Sequence, residues 1–192
     1  MEKSLKPIQE YNPIEPRWQV YQRLHHAGID PSLLEWLLDG SSLTQRIIQC
    51  CNGNFEVEVI SQQWQRPLLN EAMTLKIRPH HYALIRQVRL LCNGKPWVFA
   101  RTVIPAITLR GAVRRLAYLG NKPLGAVLFA DPSMRRDAIE IARLSTRTHH
   151  YADALQRQAT RAEQIWGRRS VFYLSNKPLL VSEFFLPGIE KR

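Results

Sequence analysis

Three charged residues sit in stretches that are otherwise apolar: Arg86 in ALIRQVRLLC, Arg101 in KPWVFARTVI and Glu183 in PLLVSEFFLP. An unpaired buried charge costs roughly several kcal/mol, so a fold that keeps such residues must give them a counter-charge or a ligand. Two guanidinium groups and one carboxylate leave a positive excess, suited to a small acid that also presents a hydroxyl. Two readings of Glu183 stand: an ion pair with Arg86 or Arg101 inside the core, or a contact to a bound molecule. No Ser, Cys or His lies in a nucleophile-with-base pattern.

The elements that must hold these groups begin with a β-hairpin. Asn93-Gly94 separates two β-rich runs, and a two-residue type I′ turn needs residues tolerant of positive φ. An unbroken ladder from that turn sets Leu90 opposite Trp97, Val88 opposite Phe99 and Arg86 opposite Arg101. Like charges directly opposed destabilise a sheet, so this register predicts an anion pocket over the Arg86–Arg101 pair. A second hairpin, RSVFYLS and KPLLVSEFFLP with a turn at Asn176, ends the chain. Its Lys177-Pro178 and Pro187 repeat the spacing of Lys95-Pro96 and Pro105, as a short internal duplication would, and the alignment sets Arg101 level with Glu183.

Upstream, Asp30-Pro31 starts a helix through SLLEWLLDG, with Asp as N-cap and Pro in the first turn. Ser42 followed by Gln45 fits a capping box for LTQRIIQCC. FEVEVIS alternates as a half-buried strand. Residues 62–79 are ambiguous, and Thr108 caps a helix running to Gly120. RRDAIEIAR is another strand. Residues 144–165, polar with Tyr151, Leu155 and Ala159 at helical spacing, form a surface helix inserted in the domain. Residues 1–17, with three prolines, form a loosely attached lead to one domain over 18–192. Strands joined by hairpins and separated by helices indicate an α+β fold with helices on an antiparallel sheet.

Composition narrows the class. A chain of 192 residues buries about 70% of its unfolded surface as one domain. No apolar segment opens the chain as a secretory signal would, and no uninterrupted apolar stretch approaches the ~20 residues of a membrane span. Three cysteines without a CxxC argue against a disulfide framework or a zinc site, and for a reducing cytosol. Cys92 beside the turn is a small apolar packing residue. The net charge of +11 is scattered, apart from groups such as Arg114-Arg115, Arg135-Arg136 and Arg168-Arg169. No nucleic-acid-binding motif accompanies it, so the charge is a solvated basic surface. The histidines fall as neighbours, His25-His26, His80-His81 and His149-His150, which point apart in regular structure and belong on the surface or in loops. Trp36, Trp97 and Trp166 lie in apolar runs and are core residues.

DPSLLEWLLDGSSLTQRI, IRQVRLLCNGKPWVFARTVIP, LGNKPLGAVLF, RRDAIEIAR and WGRRSVFYLSNKPLLVSEFFLPG occur in this order over most of residues 30–188. Taken together they resemble bacterial chorismate lyase, the chorismate–pyruvate lyase of ubiquinone biosynthesis. The resemblance implies a six-stranded antiparallel sheet carrying helices. It also implies cofactor-free and metal-free conversion of chorismate to 4-hydroxybenzoate and pyruvate, in the cytoplasm, by a monomer. It assigns the ring carboxylate to Arg86 and to the backbone amides of Leu43 and Leu124, and the ring hydroxyl to Glu183. Leu43 stands where the family commonly has methionine, which a backbone contact tolerates. The register argument adds Arg101 for the side-chain carboxylate or its departing oxygen. Direct hydrogen transfer from C4 and stepwise cleavage before proton loss both fit these residues.

The rival reading is a non-catalytic module that senses small acids, since effector domains of some bacterial transcription regulators are similar to this fold. Such regulators carry a winged helix ahead of the sensor, and the stretch before Asp30 is too short for one. A nucleic-acid binder ranks third.

Overall fold

The computed structural model describes residues 13–24, 28–156, 158 and 162–189. The helix starts are where side-chain chemistry requires them. Asp30 Oδ1 accepts the Ser32 N–H at 2.8 Å and opens α1 (Pro31–Leu38). Ser42 Oγ accepts from Gln45 N and opens α2 (Leu43–Cys50). Three short helices follow: α3 (Leu69–Thr74), α4 (Leu124–Phe129) and α5 (Tyr151–Leu155).

The described residues form one sheet of eight strands, where six were expected. The strands are β1 (Gln19–Val20), β2 (Phe55–Gln65), β3 (Ala83–Cys92), β4 (Lys95–Pro105), β5 (Arg135–Arg136), β6 (Glu140–Ser145), β7 (Gln164–Leu174) and β8 (Lys177–Phe185). The two additional strands are the two-residue β1 and β5. Every pairing is antiparallel, in the order β1-β6-β7-β8-β4-β3-β2 with β5 also on β7. RRDAIEIAR is therefore two strands along the same edge of β7, interrupted where Asp137 N–H donates to Val171 O.

Both hairpins turn through residues of positive φ, Asn93-Gly94 and Ser175-Asn176. The first hairpin departs from its expected register. Cys92 pairs with Lys95 and Leu91 with Pro96, but Leu90 pairs with Val98, leaving Trp97 as the extra residue of a β-bulge. A one-residue slip moves every later side chain to the other face. Arg86 consequently faces Thr102, and Arg101 faces Gln87.

The sheet is covered on both sides. One face carries Val88, Leu90, Ala100 and Phe185 under α1 and α2. It continues through Leu84, Ile104 and Val181 under α4 and a 3-10 helix, Gly111–Tyr118. That 3-10 helix lies within the helix expected up to Gly120 and starts later than expected. Gly111 is at φ +63°, and the Thr108 hydroxyl donates to Pro178 O instead of capping. The opposite face packs Phe99, Leu144 and Phe184 on α5, and Ile85, Val103 and Leu180 on Leu75 beyond α3.

Several further expectations change. Among the described residues of 144–165 the helix covers Tyr151–Leu155, while Leu144 and Ser145 belong to β6 and Gln164 and Ile165 to β7. It buries Tyr151, Ala154 and Leu155 on one face and exposes Ala152 and Asp153 on the other. Of the lead, residues 13–17 are tethered: Ile14 bonds Arg147 O, and the Glu15 carboxylate accepts from the N–H groups of Leu69 and Asn70. The rest of that expectation lies outside the described residues, as do His25 and His26. Cys92 is bonded to Cys51 in a disulfide that leaves Cys50 outside it. The pairing of β2 and β3 brings these sulfurs together across 41 residues, and it removes the cysteine count as an argument about compartment.

Candidate active site

The face beneath α2 and α4 is not fully packed. A cavity of ≈ 50 Å³ lies there, lined across the sheet by Arg86 and Val88 on β3, Ala100 and Thr102 on β4, Val181 and Glu183 on β8, and Arg168 and Phe172 on β7. Ser41, Leu43, Thr44, Leu124, Gly125 and Arg136 close it from above and from the side. The starts of α2 and α4 meet closely. A Cβ on Gly125 would lie 3.0 Å from Thr44 Oγ1, so any larger residue there would press on the Thr44 hydroxyl. First-turn N–H groups have no intrahelical acceptor and are available to an anion, and those of Leu43 and Leu124 open these two helices.

Arg86 is 3% exposed, and its partners are neutral. Nη1 donates to Gln62 Oε1 at 3.0 Å, and Nη2 to Gly120 O at 2.7 Å and Lys122 O at 3.4 Å. Burial lowers the pKa of its guanidinium, with no carboxylate to offset it. Carbonyl oxygens orient the group without neutralising it, so an anion is the partner the fold leaves out.

Glu183 bonds neither Arg86 nor Arg101. Its Oε2 accepts from Arg168 Nε at 2.6 Å. Arg168 is 1% exposed, and its Nη1 donates to Trp36 O and Asp39 O, at the carboxyl end of α1. That end carries the negative pole of the helix and suits a cation. Arg136 donates to Ser170 Oγ at 3.0 Å and to Gly40 O at 3.2 Å. Three arginines against one glutamate give the cavity a formal excess of two positive charges.

Arg101 does not reach this cavity. On the opposite face its Nε and Nη2 make a two-point contact with the Glu71 carboxylate, at 2.7 and 3.0 Å. Burial tends to raise the Glu71 pKa, but the bonds and charge of Arg101 outweigh it and hold the carboxyl below its ordinary value. His150, expected on the surface or in a loop, lies in the turn before α5 with its side chain directed inward beside this pair, 4.0 Å from Glu71. Among the expected site residues, Arg86, Glu183, Leu43 and Leu124 thus share one cavity, and Arg101 is excluded by the bulge.

Arg136 and Arg168 escaped the sequence reading because each belongs to an Arg-Arg pair that resembles surface charge. The signal was present in β7, where Trp166, Arg168, Ser170 and Phe172 alternate on one face. Arg168 is there flanked as Arg86 is in β3.

Residues 15–192 match the family model described as chorismate lyase. The chain belongs to the chorismate lyase family. A protein of Methylococcus capsulatus named "Probable chorismate pyruvate-lyase" is 44% identical over 154 residues, 80% of this chain and 94% of that one. A protein of the same name from Psychromonas ingrahamii is 42% identical over 170 residues, 86% of this chain and 90% of its own. Among solved structures, PhnF of Mycobacterium smegmatis aligns with a TM-score of 0.55 at 13% identity, over 78% of this chain and 65% of that one. A GntR-family transcriptional regulator of Bacillus cereus gives 0.52 at 11%, over 70% and 93%. At such identities the likeness is one of fold alone: a single α+β domain on an antiparallel sheet. No helix among the described residues is long and apolar enough to cross a membrane.

Proposed function

We propose that this protein is a chorismate lyase, converting chorismate to 4-hydroxybenzoate and pyruvate as the first committed step of ubiquinone biosynthesis. The observation that carries the reading is Arg86, a buried guanidinium with neutral partners only, in one cavity with a carboxylate two strands away. Arg86 grips the ring carboxylate, helped by the Leu43 and Leu124 N–H groups. Glu183 accepts a hydrogen bond from the C4 hydroxyl at the opposite end of the ring, and Arg168 holds Glu183 in place.

The reaction breaks the C3–O bond and removes the hydrogen at C4. The ring keeps its hydroxyl and becomes aromatic, and the departing enolpyruvate gains the hydrogen and becomes pyruvate. Aromatisation supplies the driving force, so orientation and charge stabilisation are what the protein must add. The reaction so written needs no cofactor. In one route the C4 hydrogen passes directly to the enolpyruvyl methylene. In the other, Glu183 or water removes it after C3–O cleavage. Deuterium at C4 that appears in the pyruvate methyl group supports the first, and its complete absence counts against it. Our reading has the protein act in the cytoplasm as a monomer.

Incubation with chorismate tests the activity, read as 4-hydroxybenzoate absorbance and pyruvate formed. Arg86→Ala should abolish turnover and weaken product binding by ~100-fold or more, as loss of a desolvated charge contact does. Near-normal 4-hydroxybenzoate affinity in that variant would refute the clamp. Loss of turnover in Glu183→Gln with product affinity kept would favour proton transfer by Glu183.

A further inference from the structure

Chorismate carries two carboxylates and 4-hydroxybenzoate one. With the ring carboxylate assigned to Arg86, the second needs a cation that Arg101, on the far face, cannot supply. The cavity holds two further arginines, and they differ in how far they are committed. Arg168 spends its bonds on Glu183 and on two carbonyls of the α1 end. Arg136 bonds a hydroxyl and one carbonyl and, unlike Arg168, makes no hydrogen bond to a carboxylate among the described residues. Glu183 and Asp39 are near enough to act on its charge, but Asp39 bonds Ser41 and Arg46 and Glu183 bonds Arg168. The Phe172 ring, 5.0 Å from the Arg136 Cζ, backs the guanidinium against the wall.

The order of these groups along the sheet is informative. Arg86 is on β3, Glu183 is on β8, and Arg136 is on β5, which joins the far edge of β7 at Phe172. From β3 to β5 is four strand spacings, about 19 Å between backbones, which the two inward-reaching arginine side chains shorten. The sequence Arg86, Glu183, Arg136 follows the substrate from ring carboxylate through the C4 hydroxyl to the side chain borne on C3. We propose that Arg136 is the subsite for the carboxylate of the enolpyruvyl group. It anchors that group away from the ring and stabilises the negative charge that gathers on enolpyruvate as the C3–O bond breaks. Burial, with Arg168 nearby, lowers the Arg136 pKa, as befits a partly desolvated cation that gains from an anionic partner. The assignment rests on the lyase reading and extends it to the part of the substrate that the ring product lacks.

Arg136→Gln and Arg136→Lys test it, with chorismate kinetics beside direct titration of 4-hydroxybenzoate. Arg136→Gln should lower kcat/KM for chorismate roughly 30-fold or more, as expected for loss of a desolvated charge contact. Its 4-hydroxybenzoate affinity should stay within about threefold, and Arg136→Lys should recover part of the loss, because the ring acid does not reach this end. Unchanged chorismate kinetics, or product affinity that falls in parallel, overturns the assignment. Chorismate esterified on the side-chain carboxylate supplies a second test that needs no variant to fold. The wild type should discriminate against the ester by a similar factor, and equal turnover of ester and acid would overturn the proposal. A wild type inert toward chorismate sinks the lyase reading itself. An active wild type matched by Arg136→Gln sinks only the role of Arg136.

Discussion

The two faces of the sheet both hold arginines, and they treat them in opposite ways. On the face under α3 and α5, Arg89 meets Glu58, Arg101 meets Glu71 and Arg169 meets Glu140, three cations with three carboxylates. On the face under α2 and α4, Arg86, Arg136 and Arg168 have Glu183 between them. Arg86 and Arg101 are almost equally buried, at 3% and 5% exposure, so burial does not distinguish a binding arginine from a structural one. The counter-charge does. Where the chain supplies its own carboxylate, the arginine completes the fold. Where it supplies only carbonyl and hydroxyl oxygens, the arginine is oriented but still needs an anion.

Breaking one pair on the neutralised face should give the largest change in stability. Arg101→Met leaves Glu71 buried and unpaired and should cost about 3–5 kcal/mol in urea unfolding. The folded fraction should bind 4-hydroxybenzoate as before, since Arg101 does not line the cavity. Arg86→Met should do the reverse, changing stability by no more than about 1 kcal/mol while binding fails, because a desolvated cation without a counter-ion adds little to the fold. Equal destabilisation by the two variants would erase the distinction between the faces.

Replacing both members sharpens the contrast. Arg101→Met with Glu71→Leu should return stability to within about 2 kcal/mol of the wild type, because a buried ion pair and an apolar pair of similar volume are close in energy. The residual deficit reflects the Leu68 N–H, which donates to Glu71 and would lose its acceptor.

The smallest expected effect is a pH dependence confined to the same face. Burial holds His150 below its ordinary pKa of 6.5, against the opposing pull of the Asp153 carboxylate 3.9 Å away. Above 6.5 both folded and unfolded chains carry it neutral, and stability is unaffected. As pH falls below 6.5 the unfolded chain takes up a proton that the folded one resists, so stability declines until the lower folded pKa is passed. His150→Phe should flatten unfolding free energy across that window, and an unaltered slope would show that other groups set it.

Much of this molecule was legible in its residues. Asp30-Pro31, Ser42 with Gln45, and Asn93-Gly94 act through local backbone chemistry, so the helix starts and the first turn lie where residue types alone put them. The family likeness brought Arg86, Glu183, Leu43 and Leu124 to one site. Sequence did not decide the face on which Arg101 lies. Phase along a strand is read from alternation, and β4 is buried on both sides, so KPWVFARTVI is apolar in either register and the bulge at Trp97 leaves no mark in it. Nor could it decide which charges meet. Glu71 is 30 residues from Arg101, and the α1 carbonyls that hold Arg168 lie 132 and 129 residues from it. Pairing at such range is set by how the helices pack on the sheet, and that packing alone separates the arginines that stabilise the chain from those left to bind a ligand.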